Sequence, residues 1–154
     1  MRAPPLSPVQ LKQHGFNTLL VRAIPGGSLA NLPSLEPVIR FEQTQGNPNE
    51  WRLWLILKLG SADPSRPFGY EVEMQIQALI EVSNNFPAGQ KETMALVNGF
   101  SLLYSAAREM LLNITARSAY GPVSLPTLSF VTLVQEARKQ RAQMQQPGTQ
   151  SVPA

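Results

Sequence analysis

The chain contains no cysteine. Disulfides, thiolate metal sites and cysteine nucleophiles are thereby excluded. Histidine is nearly absent too: His14 is the only one, placed ahead of the first apolar run. It has no evident partner, so a surface or loop role suits it better than general-base chemistry. Charge is scarce. Asp, Glu, Lys and Arg make up 15% of the 154 residues, against about a quarter in ordinary soluble domains. Low charge suits a protein that hides surface in an oligomer or presents apolar surface to a partner. The net charge of +3 is dispersed, with one local cluster at Arg138, Lys139 and Arg141. Nucleic-acid binders gather cations and aromatics into a patch, whereas this cluster suits the negative end of a helix. Nucleic acid is therefore not the expected partner.

Phosphate-binding and catalytic motifs are missing as well. Gly26-Gly27 lacks the GK[ST] or third glycine of the nucleotide fingerprints, and no G-x-S-x-G elbow occurs. No carboxylate spacing resembles a calcium loop. Glu71 and Glu73, with Glu81 further along, share one face of a strand pattern, which is the arrangement of a solvated sheet face. Arg108 and Glu109 are adjacent in a helix pattern, about a hundred degrees apart, and do not pair directly. No enzymatic activity, metal or cofactor is expected. No run is long and apolar enough for a membrane span. The N-terminus MRAPPLSPVQLKQ carries three prolines and no apolar run, so it does not read as a signal peptide. The expected location is cytoplasmic.

What is present is hydrophobic periodicity; 43% of the residues are apolar, enough for a core in a chain of this length. Residues 16–24, 37–44, 51–59 and 68–83 read as four strands. In the third, Trp51, Leu53, Leu55, Leu57 and Leu59 share a face opposite Arg52, Trp54, Ile56 and Lys58. The fourth alternates over its whole length, as a half-buried antiparallel strand does. After Pro87 the period becomes helical. A short segment at 90–97 with an interruption at Asn98-Gly99, a long helix from Phe100 to Ser118 and a second helix over 130–145 are predicted. Strands followed by helices give an α+β fold. Residues 1–11 are expected to be a flexible lead, 12–145 one domain and 146–154 a flexible tail.

The long helix has apolar residues on more than one side. Phe100, Leu103, Ala107, Met110 and Ile114 follow helical spacing, while Leu102, Leu111 and Leu112 lie off that stripe. Such a helix requires burial on more than one side, most simply by another copy of the chain. Phe100, Leu103, Ala107, Met110 and Ile114 are assigned to that oligomer contact. Further apolar residues occur in unusual places: Leu29, Leu32 and Leu35 in a loop, Trp54 and Ile56 opposite the main run, and Tyr120, Leu125, Leu128 and Phe130 around the connection between helices. These nine residues are the candidate lining of a groove for an extended peptide.

SLLYSAARE at 101–109, Arg117, Tyr120, the loop VSLPTLSF at 123–130 and a final helix together resemble the helix–loop–helix of SecB-like export chaperones. YEVEMQIQALIEVS at 70–83 is similar to the fourth strand of that family. The resemblance implies a four-stranded antiparallel sheet with helices on one side and a homotetramer built as a dimer of dimers. It also implies ATP-independent binding of unfolded polypeptides in hydrophobic grooves. In that family an acidic outer sheet face meets the SecA translocase motor. Here that face would rest on Glu71, Glu73 and Glu81, and the C-terminal region is basic. A chaperone of a toxin–antitoxin system, binding an antitoxin, is the alternative within the family. A non-chaperone scaffold or nucleic-acid module is the alternative outside it.

Overall fold

The computed structural model describes residues 2–145. Four strands come first: β1 (Val9–Ala23), β2 (Pro33–Gln43), β3 (Glu50–Ser61) and β4 (Tyr70–Val82). A 3-10 turn at Ala88–Gln90 leads into α1 (Lys91–Thr115), and α2 (Phe130–Gln145) closes the chain. The strands form one antiparallel sheet in the order β1-β4-β3-β2, with both helices on the same side. This is the expected α+β architecture. The expected tail, 146–154, lies outside the described residues.

The sheet obeys its alternation. Leu53, Leu55 and Leu57 of β3 and Met74, Ile76 and Ile80 of β4 are fully buried under α1. They recur every second residue, so one face of the two central strands is dry. β1 and β2 are the edges. The connection 24–32 crosses the end of the sheet between them and is tied down at Pro67, whose carbonyl accepts from the Ser28 and Asn31 amides.

Three boundaries depart from the sequence reading. β1 starts at Val9, so residues 9–11 belong to the strand and not to a flexible lead. Register shifts against β4 leave Lys12 and Asn17 as extra residues, and these bulges scramble the period of two that would have revealed the strand. β2 begins at Pro33, which an edge strand tolerates. The interruption at Asn98-Gly99 does not exist: α1 runs unbroken through both. Gly99 is there for packing, because a Cβ at that position would lie 2.6 Å from a Leu53 methyl. The helix–sheet approach requires glycine, and the surrounding contacts offset its cost of about 1 kcal/mol in helix propensity.

Candidate functional site

The apolar stripe of α1 faces the sheet of its own chain, which corrects the assignment of an oligomer contact. Phe100, Leu103 and Ala107 are buried completely, as is Leu111 from outside the stripe, and they have no surface left to offer a second copy. Met110 and Ile114 are half-buried. The free side of α1 carries Leu102 and Leu112, with Ser101, Ser105 and Glu109 exposed around them. A helix covered by one sheet needs one stripe; these two leucines are the excess.

Buried hydroxyls fix the segment after α1. The Tyr70 hydroxyl donates to the Gly121 carbonyl at 2.8 Å and accepts from the Tyr120 amide at 2.9 Å. The Thr115 hydroxyl donates to the Leu111 carbonyl and accepts from the Val123 amide at 2.8 Å. The Tyr104 hydroxyl donates to the Pro126 carbonyl, and burial pushes its phenol pKa up. Gly121, at φ 83°, makes the reversal that a side chain would strain. The loop 121–129 thus follows α1 back along its length. It delivers Phe130 to a stack on Phe100, with ring centroids 6.1 Å apart, and an edge contact with Tyr104 at 5.5 Å.

This geometry divides the nine proposed groove residues. Leu125 and Phe130 are core, so they do not line a groove in this arrangement. Tyr120 is a brace: its hydroxyl donates to the Ile24 carbonyl, and its ring meets that of Tyr70 edge-on at 5.7 Å. Leu29 packs beside it, both within about 3 Å of where a Gly69 side chain would begin. Trp54 and Ile56 sit on the far side of the sheet, opposite Arg40 and Val38 of β2, so they cannot share a groove with the loop. Their alternation with buried Leu53, Leu55 and Leu57 dictates this. Leu29, Leu32, Leu35 and Leu128 keep accessible surface, and Leu32 is 75% exposed.

Residues absent from that set complete the apolar surface on the helix side. Pro37, Ile39 and Phe41 of β2 face the same way as Leu35 and the core and are only half-covered. α2 buries just Phe130 and Val134. Polar contacts at its far end hold it: Arg138 reaches Glu92 at 3.3 Å and Thr93 at 2.9 Å, and the Arg141 guanidinium lies 5.7 Å from the centre of the Phe41 ring. Between α1 and α2 runs a cleft of about 450 Å³ lined by Phe86, Met94, Val97, Val131 and Val134. Alternation in the sequence already put Ile39 and Phe41 on one face. How little α2 would cover them was not legible.

The outer face is chemically different. Arg22 pairs with Glu71. Lys12 bridges Glu50 at 2.8 Å and Glu81 at 3.2 Å. Its ammonium holds the Glu50 carboxyl below the usual carboxylate range, and the two carboxylates raise Lys12 in turn. Glu73 stands opposite Lys58 and Leu20 in register. Glu71 and Glu81 are thus already engaged within the chain. Among the described residues no group of three or more His, Asp or Glu could hold a metal ion, and no helix is long and apolar enough to cross a membrane.

No protein-family model and no curated protein matches the chain. Solved structures do. One is the SecB-like chaperone Rv1957 of Mycobacterium tuberculosis in complex with a ChAD peptide from the Rv1956 HigA1 antitoxin. It matches with a TM-score of 0.54 and 16% identity, covering 79% of this chain and 91% of that one. Another is a protein of unknown function from Streptococcus agalactiae, with a TM-score of 0.47 and 13% identity, covering 77% of this chain and 97% of that one. At such identity the likeness is one of fold: the four-stranded antiparallel sheet followed by helices is the architecture of the SecB-like chaperone.

Proposed function

We propose that this chain is an ATP-independent chaperone that holds unfolded or partly folded polypeptide segments on the helix side of its sheet. The observation that carries the reading is the half-covered inner face of β2, flanked by the exposed Leu32, the loop residue Leu128 and the α1–α2 cleft. Apolar surface of this kind gains about 25 cal/mol for every Å² a client shields from water, and it needs little sequence readout. The fold supports the reading, since a SecB-like chaperone with the same architecture was solved with a peptide bound.

Two finer readings differ in the client. General export service requires handing clients to a motor such as SecA, and two of the three outer-face acids available for that docking are engaged in ion pairs. A dedicated client is favoured by one observation: the peptide held by the Mycobacterium tuberculosis chaperone comes from an antitoxin. Assembly belongs to the same proposal. The free α1 face with Leu102 and Leu112 is the contact between copies, in a tetramer built as a dimer of dimers. The deciding experiment is suppression of aggregation of a chemically unfolded client without nucleotide, with light scattering to give the mass. Aggregation that proceeds unslowed at a severalfold excess of the protein sinks the reading.

A further inference from the structure

The net charge of the chain is not shared between its layers. Residues 1–84, the lead and the sheet, carry seven Lys or Arg and seven Asp or Glu. Residues 85–145, the helix layer, carry six Lys or Arg and three Asp or Glu. The whole excess of +3 therefore lies on the side that bears the open apolar surface. One of the three acids there, Glu92, is engaged by Arg138. Arg108 goes further. Its Nε is buried with no hydrogen-bond partner, and among the described residues its guanidinium forms no ion pair. It stands one helical turn from Tyr104, close enough to act on that phenol electrostatically, and Tyr104 anchors the loop at Pro126. A buried Nε–H without an acceptor is costly, and the planar fork of the half-buried guanidinium matches a carboxylate.

We infer that the helix layer selects polypeptide segments in which apolar side chains are interspersed with carboxylates, and that Arg108 is the fixed seat for one of those carboxylates. This deepens the chaperone reading and rests on it. Apolar burial supplies affinity for any unfolded segment. The uncompensated cations add a preference among segments, because charges beside low-dielectric walls focus their field on what enters. Arg141 over Phe41 extends the same field along the groove.

The test uses the full chain and three labelled peptides of one apolar pattern, whose polar positions are filled with Asp and Glu, with Asn and Gln, or with Lys. Fluorescence anisotropy gives each affinity at low salt and at high salt. The acidic peptide is expected to bind about tenfold tighter than its amide counterpart at low salt, and the ratio is expected to shrink as salt screens it. Arg108→Gln is expected to bring the ratio to about threefold or less, and Arg108→Lys to retain part of it. Equal affinities for the acidic and amide peptides, or tighter binding of the lysine peptide, overturn the charge preference. A ratio that Arg108→Gln leaves alone overturns the seat. Failure of all three peptides to bind rejects the chaperone reading itself, which separates the two failures.

Discussion

The two sides of the sheet use the same alternating strands for opposite purposes. On the outer face, Arg22 meets Glu71 and Lys12 meets Glu50 and Glu81, so charges are matched in place. On the helix side, α1 covers the centre of the sheet, but α2 and the irregular loop 121–129 cover its β2 edge incompletely. The inner face of β2 is left half-bare and three positive charges are uncompensated. The outer face also exposes single apolar residues, Leu20 and Val38, but with these charges matched in place it has little electrostatic gain to offer a partner. A face with apolar surface in excess of its own cover gains free energy whenever a partner shields it.

The sharpest way to break this comparison is to exchange the two sides of α1. Leu103 is 1% exposed and Leu102 is 46% exposed, though they are neighbours in sequence. Leu103→Glu buries a carboxylate among apolar groups and is expected to cost about 5 kcal/mol, enough to unfold the chain by far-UV circular dichroism. Leu102→Glu is expected to stay within about 0.5 kcal/mol of the parent fold while lowering the mass measured by light scattering. A folded Leu103→Glu chain would show that the stripe does not form the core.

The brace at the end of α1 comes next. Tyr70→Phe removes the partner of both the Tyr120 amide and the Gly121 carbonyl. Leaving buried backbone groups unpaired costs about 1–3 kcal/mol, read as a lower urea midpoint. An unchanged midpoint would mean that water reaches this turn and that the loop is not held as described.

Client binding is expected to respond on one side only. Phe41→Ser removes apolar surface from the helix side and Leu32→Ser from the end of the sheet beside it, and binding of an unfolded client should weaken about threefold to tenfold in each case. Trp54→Ser removes a larger side chain from the outer face and should leave the client affinity as it was. Loss at Trp54 with none at Phe41 would move the client to the other face of the sheet.

Periodicity in the sequence foretold the sheet well because β3 and β4 are central. Each is flanked on both edges and dry on one face, so a period of two is enforced along its length. β1 escaped in part because an edge strand is held by backbone pairing and tolerates the bulged Lys12 and Asn17, which break the period. The site was less legible, and for a related reason. Spacing identifies which residues share a face; it does not say what lies across from that face. Phe100, Leu103 and Ala107 therefore looked available for a partner, while the sheet of the same chain already covered them. Ile39 and Phe41 share one side of their strand by spacing, and nothing in that spacing reveals that α2 buries only Phe130 and Val134.

The smallest expected effect lies on the closed side and tests how far its ion pairs matter to folding. Lys12 lowers the Glu50 pKa in the folded state, so this carboxylate contributes stability above the ordinary carboxylate pKa and loses it as pH falls through its depressed value. Glu50 and Glu81 raise Lys12, whose contribution is complete below the ordinary lysine pKa and disappears as pH rises through the raised value. Thermal scans should therefore show the midpoint falling at both extremes. Glu50→Gln is expected to flatten the acid limb, and Lys12→Met to flatten both. Lys12 is substantially exposed, so the change at neutral pH is expected to be modest and to fade in high salt. An acid limb that survives Glu50→Gln intact would assign acid sensitivity to other carboxylates and leave the Lys12 bridge as geometry without energetic weight.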